Sequence, residues 1–326
     1  MVRLFTGGTR MSGVYVGFDI GGTKCAAIIG RKEEEKPVLL SRSAFPTPRT
    51  QEEAMDRLCK LARENSNGER ILGVGISAGN PMDAEKGMLL NPPNLPGWTG
   101  VSLTQWATRE LNAPAILEND ANACALAEWQ WGAGKGSNRM VFITFGTGFG
   151  AGLILDGKLY RGACGNAGEL GHWRLSEFGP SGYGKQGSFE GFCSGGGLRQ
   201  LAVTIGEGYM QRGEKPSYWG AVELSARTVA LAARAGDQAA QEVFTLCGQR
   251  LGQGLALLVD LLNPDCIVLG SIYARCEDLL CEPMRNALKA EALCDSVAAL
   301  KVHPAELGEQ IGDYAALLLA VQASRI

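Results

Sequence analysis

Two glycine-rich turns supply the first chemistry that the residue types suggest. Asp19-Ile-Gly-Gly-Thr-Lys24 and Gly146-Thr-Gly-Phe-Gly-Ala-Gly152 each lie between two apolar runs. A turn of this kind brings backbone N–H groups and a hydroxyl to one point, which is a geometry that holds phosphate. The Asp19 carboxylate could also hold Mg²⁺ through water. An ordinary glycine hairpin is the alternative for either turn.

The second turn nearly matches the glycine fingerprint of dinucleotide-binding proteins, which requires a strand before it and a helix after it. Here residues 153–157 predict a strand that runs into a hairpin, because Asp156-Gly157 is a strong hairpin signal. A dinucleotide site is therefore not expected. Two phosphate-holding turns that face one nucleotide explain both segments better.

Carboxylates and a histidine stand at three further positions. Asp120 lies between a predicted buried strand and a helix, so it is either a general base at a strand end or an N-cap for that helix. Glu169 and His172 are three residues apart between glycines and could point at one ligand, with a structural histidine as the alternative. Gly184-Lys-Gln-Gly-Ser-Phe-Glu190 ends in another carboxylate and otherwise reads as a solvated loop.

The elements that must position these residues follow the same order twice. In each half, three apolar runs joined by short turns come first, and strands and helices alternate after them. In the first half, strands are predicted over 14–20, 24–29, 38–45, 71–76 and 115–118, and helices over 51–64, 101–111 and 122–131. In the second, strands are predicted over 140–145, 152–155, 158–161, 266–269 and 296–302, and helices near 195–206, 223–235, 237–262, 277–290 and 310–324. Two similar α/β halves predict a ligand cleft between them that closes over its substrate.

Composition bounds the class of protein. The 326 residues correspond to about two domains at ~150 residues each. A hydrophobic fraction of 45% with 20% charged residues excludes a disordered protein, a coiled coil and a disulfide-stapled miniprotein. The net charge of -3 lacks the basic excess of a nucleic-acid binder, so no nucleic-acid partner is expected. The 45 glycines indicate many tight turns, or backbone that comes close to a ligand.

The compartment follows from the cysteines and the apolar runs. Ten cysteines are scattered without a Cys-x-x-Cys pair, which predicts reduced thiols in a cytoplasmic protein. The longest candidate span, over 251–262, contains Gln253 and Asp260 and falls short of the ~20 apolar residues of a membrane helix. No membrane partner or signal peptide is therefore expected. Residues 1–12 are expected to be a flexible leader, with Met11 as an alternative start.

Taken in order, these segments resemble the ROK family of sugar kinases, which belongs to the actin-like, ribonuclease-H-like ATPase superfamily together with hexokinase. The resemblance runs from Phe18 to about Gly270 and so spans most of the chain. Besides the two glycine turns, it is carried by four segments: Gly75-Ile-Ser-Ala-Gly-Asn-Pro-Met-Asp83, Asn94-Leu-Pro-Gly-Trp98, Asn119-Asp-Ala-Asn122 and Gly168-Glu-Leu-Gly-His172. Within the first of these, Ala78 stands where the family commonly has proline.

The resemblance implies a fold and a set of functional residues. The fold would be α/β, with two ribonuclease-H-like (actin-like ATPase) domains and an interdomain active-site cleft. Residues 1–122 would form the smaller domain, completed by a C-terminal helix over 308–326, and residues 123–307 the larger one. The activity would be ATP-dependent phosphorylation of a hexose or N-acetylhexosamine hydroxyl, at C6, with Asp120 as the general base.

The same resemblance assigns the contacts. The sugar would contact Gly79, Asn80, Asn94, Asn119, Asp120, Glu169, His172 and Glu190. ATP would contact Asp19, Gly21, Gly22, Thr23, Lys24, Gly146, Thr147, Gly148, Gly270 and Ser271. Asp19 would also position Mg²⁺ through water. Ser271 replaces the second glycine of a pair that the family presents near the adenosine.

One departure from the family concerns a structural zinc. The family commonly carries Cys-x-Cys-Gly-x-x-Gly-Cys-x-Glu, and its cysteines bind zinc together with the histidine. The aligned run here is Ser181-Gly-Tyr-Gly-Lys-Gln-Gly-Ser-Phe-Glu190, in which all three cysteines are replaced. Thiolates dominate closed structural zinc sites, so we expect no structural zinc and a loop held by packing and hydrogen bonds. Cys164 and Cys193 are the alternative ligands.

Three other functions compete with a sugar kinase that uses ATP. The acidic balance argues mildly against a polyphosphate-dependent glucokinase. The presence of Asp120 and both glycine turns argues against a non-catalytic sugar-sensing protein. A repressor would carry a DNA-binding winged helix, and only about 13 residues precede Val14. Glucose, fructose, mannose, allose and the N-acetylhexosamines all stay open as the sugar, and a homodimer, common in the family, is not decided by these residues.

Overall fold

The computed structural model describes residues 13–34 and 36–326, so the expected leader over 1–12 and the alternative start at Met11 lie outside the described residues. The described strands are β1 (Val14–Ile20), β2 (Lys24–Arg31), β3 (Val38–Pro46), β4 (Ile71–Ala78), β5 (Met82–Asp83), β6 (Met88–Leu90), β7 (Thr99–Ser102), β8 (Ala115–Asn119), β9 (Met140–Phe145), β10 (Phe149–Leu155), β11 (Lys158–Tyr160), β12 (Ser181–Gly182), β13 (Lys185–Gln186), β14 (Cys266–Leu269) and β15 (Lys301–Pro304). The described helices are α1 (Gln51–Asn65), α2 (Leu103–Leu111), α3 (Asp120–Trp131), α4 (Phe189–Phe192), α5 (Gly195–Gln211), α6 (Ala226–Arg234), α7 (Gln238–Leu262), α8 (Ile272–Arg275), α9 (Glu277–Glu291), α10 (Cys294–Ala299) and α11 (Ile311–Ala323), with short 3₁₀ turns at Leu170–His172 and Gly308–Gln310.

The chain divides into two compact units. The first comprises the described residues up to Ala123 together with Gly312–Ile326, and the second is Cys124–Ile311. Each unit is built around its own five-stranded sheet.

The sheet of the first unit has the strand order β3-β2-β1-β4-β8. The pairs β1–β2 and β2–β3 are antiparallel, whereas β1–β4 and β4–β8 are parallel. In this register Asp19 lies opposite Ser77, and Ala78 lies opposite Asn119. The carboxyl ends of three parallel strands therefore meet at one edge of the sheet, which is where α/β proteins commonly bind ligands.

Helices cover both faces of this sheet. The helix α1 buries Ala54, Met55, Leu58, Cys59 and Ala62 against one face, at the spacing of an amphipathic helix. On the other face, α11 packs with its backbone directly on β4. A Cβ at Gly75 would lie 2.1 Å from the Ala316 carbonyl oxygen, so only glycine permits this approach. The last helix of the chain thereby completes the core of the first unit.

The sheet of the second unit repeats this arrangement. Its order is β11-β10-β9-β14-β15, with β9–β10 and β10–β11 antiparallel and β9–β14 and β14–β15 parallel. The predicted repetition of three adjacent strands followed by alternating helices and strands is confirmed. The long helix α7 lies at the centre of this unit's core, where Val243, Phe244, Leu251 and Leu255 are buried.

Several element boundaries differ from those predicted, and the two largest differences among the strands are in the second sheet. The strand predicted over 296–302 is wrong, because residues 294–299 form α10 and the strand β15 begins at Lys301. A short apolar run is ambiguous between helix and strand, and Asp295 in the first turn favours a helix. The strand predicted from 152 begins at Phe149 instead, because Phe149 already pairs with Phe145 of β9.

Two further features concern the thiols and the helices. All ten cysteines are free thiols. Within residues 13–34 and 36–326, none of the helices combines the length and the apolar character needed to cross a membrane.

Candidate functional site

The first glycine turn follows Asp19 and joins β1 to β2. The Gly21 N–H donates to the Lys24 carbonyl at 3.0 Å, and the Thr47 hydroxyl donates to the Gly21 carbonyl at 2.5 Å, so the turn is held on both sides. Gly22, Thr23 and Lys24 are exposed. The turn therefore presents its polar groups to solvent at the carboxyl edge of the sheet.

Gly22 is required by contact with another part of the chain. A Cβ at this position would lie 2.7 Å from both the Cβ and the carbonyl oxygen of Asn94. The segment around Asn94 therefore packs on the first glycine turn, which brings a residue assigned to the sugar beside residues assigned to phosphate. By contrast, a Cβ at Gly79, just after β4, would meet open space.

Asn119 and Asp120 share the start of α3. Asn119 Oδ1 accepts hydrogen bonds from the N–H groups of Ala121 at 3.0 Å and Asn122 at 3.2 Å, which is the pattern of an N-cap. Asp120 Oδ1 accepts the Ala121 N–H at 2.8 Å, and the residue is exposed. The capping role that sequence left open for Asp120 is thus carried in large part by Asn119.

A buried carboxylate stabilises the junction between β8 and α3. Glu118, only 4% exposed, accepts hydrogen bonds from the Asn119 N–H and the Asn122 side-chain amide, both at 2.9 Å. It fixes the backbone from which the side chains of Asn119 and Asp120 project. Glu118 was not anticipated from the sequence, in which its place next to the Asn119-Asp120 motif was the only available signal.

Asp19 lies in a negative environment. Burial raises its pKa to about 6, and the charges of Asp120 and Asp313 add to this rise. Arg42 and Lys24 oppose it. Arg42 is itself paired with Asp313, with Nε 2.9 Å from Oδ1. The carboxylates outnumber the cations around Asp19, so this site suits a hydrated cation held through water rather than by a cluster of protein ligands.

Arg42 and Asp313 were not anticipated from the sequence. They come from β3 and from the first turn of α11, which are 271 residues apart in the chain. The start of α11 also faces the first glycine turn, since a Cβ at Gly312 would lie 3.6 Å from Asp19 Oδ2.

The second glycine turn joins β9 to β10 in the other unit. The Gly146 N–H donates to the Gly148 carbonyl at 3.1 Å, and the Gly146 carbonyl accepts the N–H of Gly195, the first residue of α5, at 2.9 Å. Thr147 at the tip is exposed. The amino end of a 17-residue helix therefore adjoins the turn, an arrangement that favours anions. Gly195 was not anticipated from the sequence, although Ser194-Gly-Gly-Gly is typical of a capped helix start.

Gly270 and Ser271 lie next to this turn. A Cβ at Gly146 would be 3.7 Å from the Ser271 Oγ. Ser271 has φ 49° and ψ −108°, a backbone conformation that glycine adopts with little strain and serine rarely adopts.

A group of polar side chains in the second unit comprises Glu169, His172 and Glu190. Glu190 lies on α4, and its Oε2 accepts the backbone N–H of Phe149 at 3.1 Å. Burial raises the pKa of Glu190, and the neighbouring Glu169 adds to the rise. The N–H groups of Phe149 and Tyr183 and the charge of His172 act in the opposite direction. Glu169 and His172, both assigned to the sugar, therefore lie near Glu190.

The loop over 181–188 is held without thiolates. The buried Ser188 Oγ accepts the N–H groups of Gly182 and Gly191, both at 3.1 Å, and caps α4. The Tyr183 ring stacks on the His172 ring with centroids 4.6 Å apart. In the described part of the chain, no three His, Cys, Asp or Glu side chains gather in a way that could hold a metal ion.

The two cysteines considered as alternative zinc ligands lie elsewhere. Cys193 is buried with its Sγ 3.7 Å from the Cys247 carbonyl oxygen. Cys164 is exposed, and its Sγ accepts a weak hydrogen bond from Asn166 at 3.5 Å.

Comparison with known proteins places this geometry in a family. The model of the ROK family matches residues 15–323. The glucokinase of Streptomyces coelicolor is 32% identical over 281 residues, which cover 85% of this chain and 87% of that protein. The structure of a ROK family glucokinase from Streptomyces griseus in complex with glucose and AMPPNP has a TM-score of 0.78 at 32% identity, covering 95% of this chain and 100% of that one.

Regulators also appear among the relatives. The xylose repressor of Caldicellulosiruptor bescii is 28% identical over 260 residues, which cover 78% of this chain and 63% of that protein. Similarity to the glucokinase extends over a larger share of both chains.

Proposed function

The chain belongs to the ROK family, with the actin-like ATPase fold, and on that basis we propose that it is an ATP-dependent sugar kinase. The observation that carries the proposal is the arrangement at the carboxyl edge of the first sheet. There Asp120 is close enough to Asp19 to raise the pKa of that group, while Asn119 supplies the helix cap. An exposed carboxylate beside a phosphate-type turn is what transfer of a phosphoryl group to an alcohol requires.

Asp120 is the general base in this proposal. A sugar hydroxyl is a poor nucleophile, so a carboxylate within ~3 Å that accepts its proton lowers the barrier. The hydroxyl at C6 is the acceptor that we propose. Glu118 and Asn119 hold the backbone of the base in position through the hydrogen bonds described above.

The sugar contacts come from two groups of residues. Gly79, Asn80, Asn94 and Asn119 belong to the first unit, and Glu169, His172 and Glu190 belong to the second. Asn119 uses its Oδ1 for capping, which leaves its side-chain NH₂ as a hydrogen-bond donor to a sugar oxygen. Carboxylates and an imidazole supply the acceptors that hexose hydroxyls need.

The phosphates of ATP would contact both glycine turns. Thr23 and Lys24 provide a hydroxyl and a positive charge at the first turn, and Thr147 with the amino end of α5 provides the second. Gly270 and Ser271 adjoin the second turn, where the adenosine would lie. ATP is favoured over polyphosphate as the donor because a 32%-identical relative is described in complex with AMPPNP.

Asp19 would hold Mg²⁺ through water, and the bound ion would neutralise charge on the transferred phosphoryl group. The excess of carboxylates around Asp19 supports this assignment. Arg42 offsets part of that charge through its pair with Asp313.

The test is a coupled assay of ADP release over a panel of hexoses and N-acetylhexosamines, with ATP or polyphosphate as the donor. We expect sugar-dependent ADP release with ATP, and phosphorus NMR of the product should locate the phosphate on C6. The Asp120→Asn protein, purified in the same way, controls for a contaminating kinase. Absence of sugar-dependent turnover in the folded protein with every sugar would refute the proposal.

A further inference from the structure

The His172 imidazole has an unusual support. His172 is exposed at the end of a 3₁₀ turn, and its backbone carbonyl accepts a hydrogen bond from Lys185 Nζ at 2.6 Å. Its ring stacks on the ring of Tyr183, with centroids 4.6 Å apart and planes inclined by 28°.

Tyr183 occupies a turn position that does not favour tyrosine. The strands β12 and β13 pair Gly182 with Lys185, so Tyr183 and Gly184 form a two-residue hairpin loop. Both have positive φ, at 51° and 68°. A loop with two positive φ values favours Asn-Gly, since most side chains are strained there. Tyrosine is rare in this backbone conformation, so the turn itself does not account for the presence of the aromatic ring.

The hairpin formed by β12 and β13 also contacts Glu190 and the main chain of His172. The backbone N–H of Tyr183 faces the Glu190 carboxylate, which also accepts the Phe149 N–H. Lys185, two residues further on, holds the backbone of His172. The hairpin therefore contacts His172 at its ring and at its main chain.

We propose that Tyr183 is a positioning residue that holds the His172 imidazole, through ring stacking, in the orientation in which it binds the sugar. This inference rests on the proposed function for the role of His172. The stack leaves both ring nitrogens for hydrogen bonds with sugar hydroxyls, because it contacts only the face of the ring.

The kinetic test uses two substitutions of one residue. Tyr183→Asn removes the ring and installs the residue that the hairpin prefers, so a lost sugar contact cannot be attributed to a damaged turn. We expect the KM for the sugar to rise roughly two- to tenfold, the size of an aromatic pair. The KM for ATP should change less than the KM for the sugar, and the melting temperature should not fall. Tyr183→Phe keeps the stack and should behave as the wild type.

Tyr160→Asn is the matched control. Tyr160 is another exposed tyrosine, on β11, and is not among the residues assigned to ATP or sugar. Its substitution should leave both KM values unchanged. An unchanged KM for the sugar in Tyr183→Asn, or a rise of equal size in Tyr160→Asn, would overturn the proposal.

A spectroscopic test needs no activity. The chain has two histidines, so His303→Gln, on an exposed strand position, leaves His172 as the single imidazole signal. In the protein without a histidine tag, the ring current of Tyr183 should displace the His172 ring protons upfield. Adding Tyr183→Asn should return the chemical shifts of these protons towards the values of free histidine. An unchanged spectrum would show that Tyr183 does not stack on His172 and would overturn the proposal. If the wild type phosphorylates no sugar, the proposed function fails, whereas this spectrum still decides whether Tyr183 orients His172.

Discussion

Glu190 Oε2 accepts the backbone N–H of Phe149 at 3.1 Å, which links the carboxylate assigned to the sugar to the second glycine turn. A Cβ at the adjacent Gly148 would lie 3.3 Å from the same oxygen, so the carboxylate lies against the turn itself. One side chain therefore connects the two binding functions assigned to this unit.

We expect Glu190→Ala to weaken the binding of both substrates. Loss of a hydrogen bond to a charged group costs about 1.5–3 kcal/mol, which predicts a rise of roughly 10- to 100-fold in the KM for the sugar and a smaller rise for ATP. Glu190→Gln retains an acceptor for Phe149 and should spare the KM for ATP. Steady-state kinetics with each substrate varied in turn provides the measurement. Equal KM values for ATP in the Ala and Gln proteins would show that the link to the turn has no functional effect.

Asp120→Asn should lower kcat without lowering stability. General-base catalysis contributes a factor of ~10²–10⁴, while Asn119 continues to cap α3. Calorimetric binding of the sugar should change little. Asn119→Ala is the comparison, since loss of a cap costs about 1 kcal/mol of unfolding free energy. Near-normal turnover in Asp120→Asn would leave Asp120 with only a structural role.

The stability of the protein without Mg²⁺ and nucleotide should depend on pH through Asp19. Its pKa is raised from 3.8 to about 6 by burial and by Asp120 and Asp313, so the folded state retains a proton that the unfolded chain has released. The contribution of Asp19 to stability is therefore present below about pH 4, is lost as pH rises to about 6, and is constant above that.

Asp19→Asn should remove this pH dependence. The free energy of unfolding of the variant should exceed that of the wild type by up to about 3 kcal/mol at pH 7. The difference should be small at pH 4, where the carboxyl of the folded wild type is already protonated. Chemical denaturation of both proteins at the two pH values gives the comparison. A variant that gains equally at both, or loses stability at pH 7, contradicts the half-buried, negatively surrounded position of Asp19.

Ser188→Ala should loosen the loop over 181–188. The hydroxyl caps α4 and accepts two backbone N–H groups, so its removal should cost about 2–3 kcal/mol. Ser225→Ala, which removes the cap of α6 and a hydrogen bond with the Thr228 hydroxyl but no second backbone N–H contact, should cost about 1 kcal/mol. Added zinc or a chelator should change the melting temperature of neither protein. Similar losses in the two variants would argue that Ser188 is no more than a cap.

Ser271→Gly should stabilise the protein. Its φ of 49° with ψ −108° strains a serine, and glycine relieves this by about 1 kcal/mol. Asn263→Gly is the matched control, since Asn263 has φ 44° and ψ 58°, an ordinary left-handed helix end that asparagine tolerates. Thermal unfolding of both proteins tests this, and a loss of stability in Ser271→Gly would contradict the strained backbone.

Local patterns were enough to predict the two similar sheets. Each begins with three runs of strand-forming residues joined by short turns, and such consecutive runs pair most readily with their neighbours. The same local information identified Asn119-Asp120, but both residue types cap helices, so only the coordinates show that Asn119 carries most of that role. Gly22 was assigned to phosphate from its motif, and the structure gives a separate reason for glycine there, because a Cβ would meet Asn94 of the same chain.

Long-range contacts could not be predicted in this way. The pair of Arg42 and Asp313 joins elements 271 residues apart, and nothing in either segment indicates the other. The stack of Tyr183 on His172 likewise depends on how a hairpin folds back. Residues that tune or orient a site are harder to find from sequence than the residues with a recognisable motif.

The close packing of α11 on Gly75 has a consequence for biosynthesis. The helix α11 follows the whole of the second unit in the chain, so the core of the first unit can close only after the second unit has been translated. During that interval the second unit can fold from a continuous stretch of polypeptide. Ribosome-bound intermediates should therefore acquire protease resistance from the middle of the chain outward.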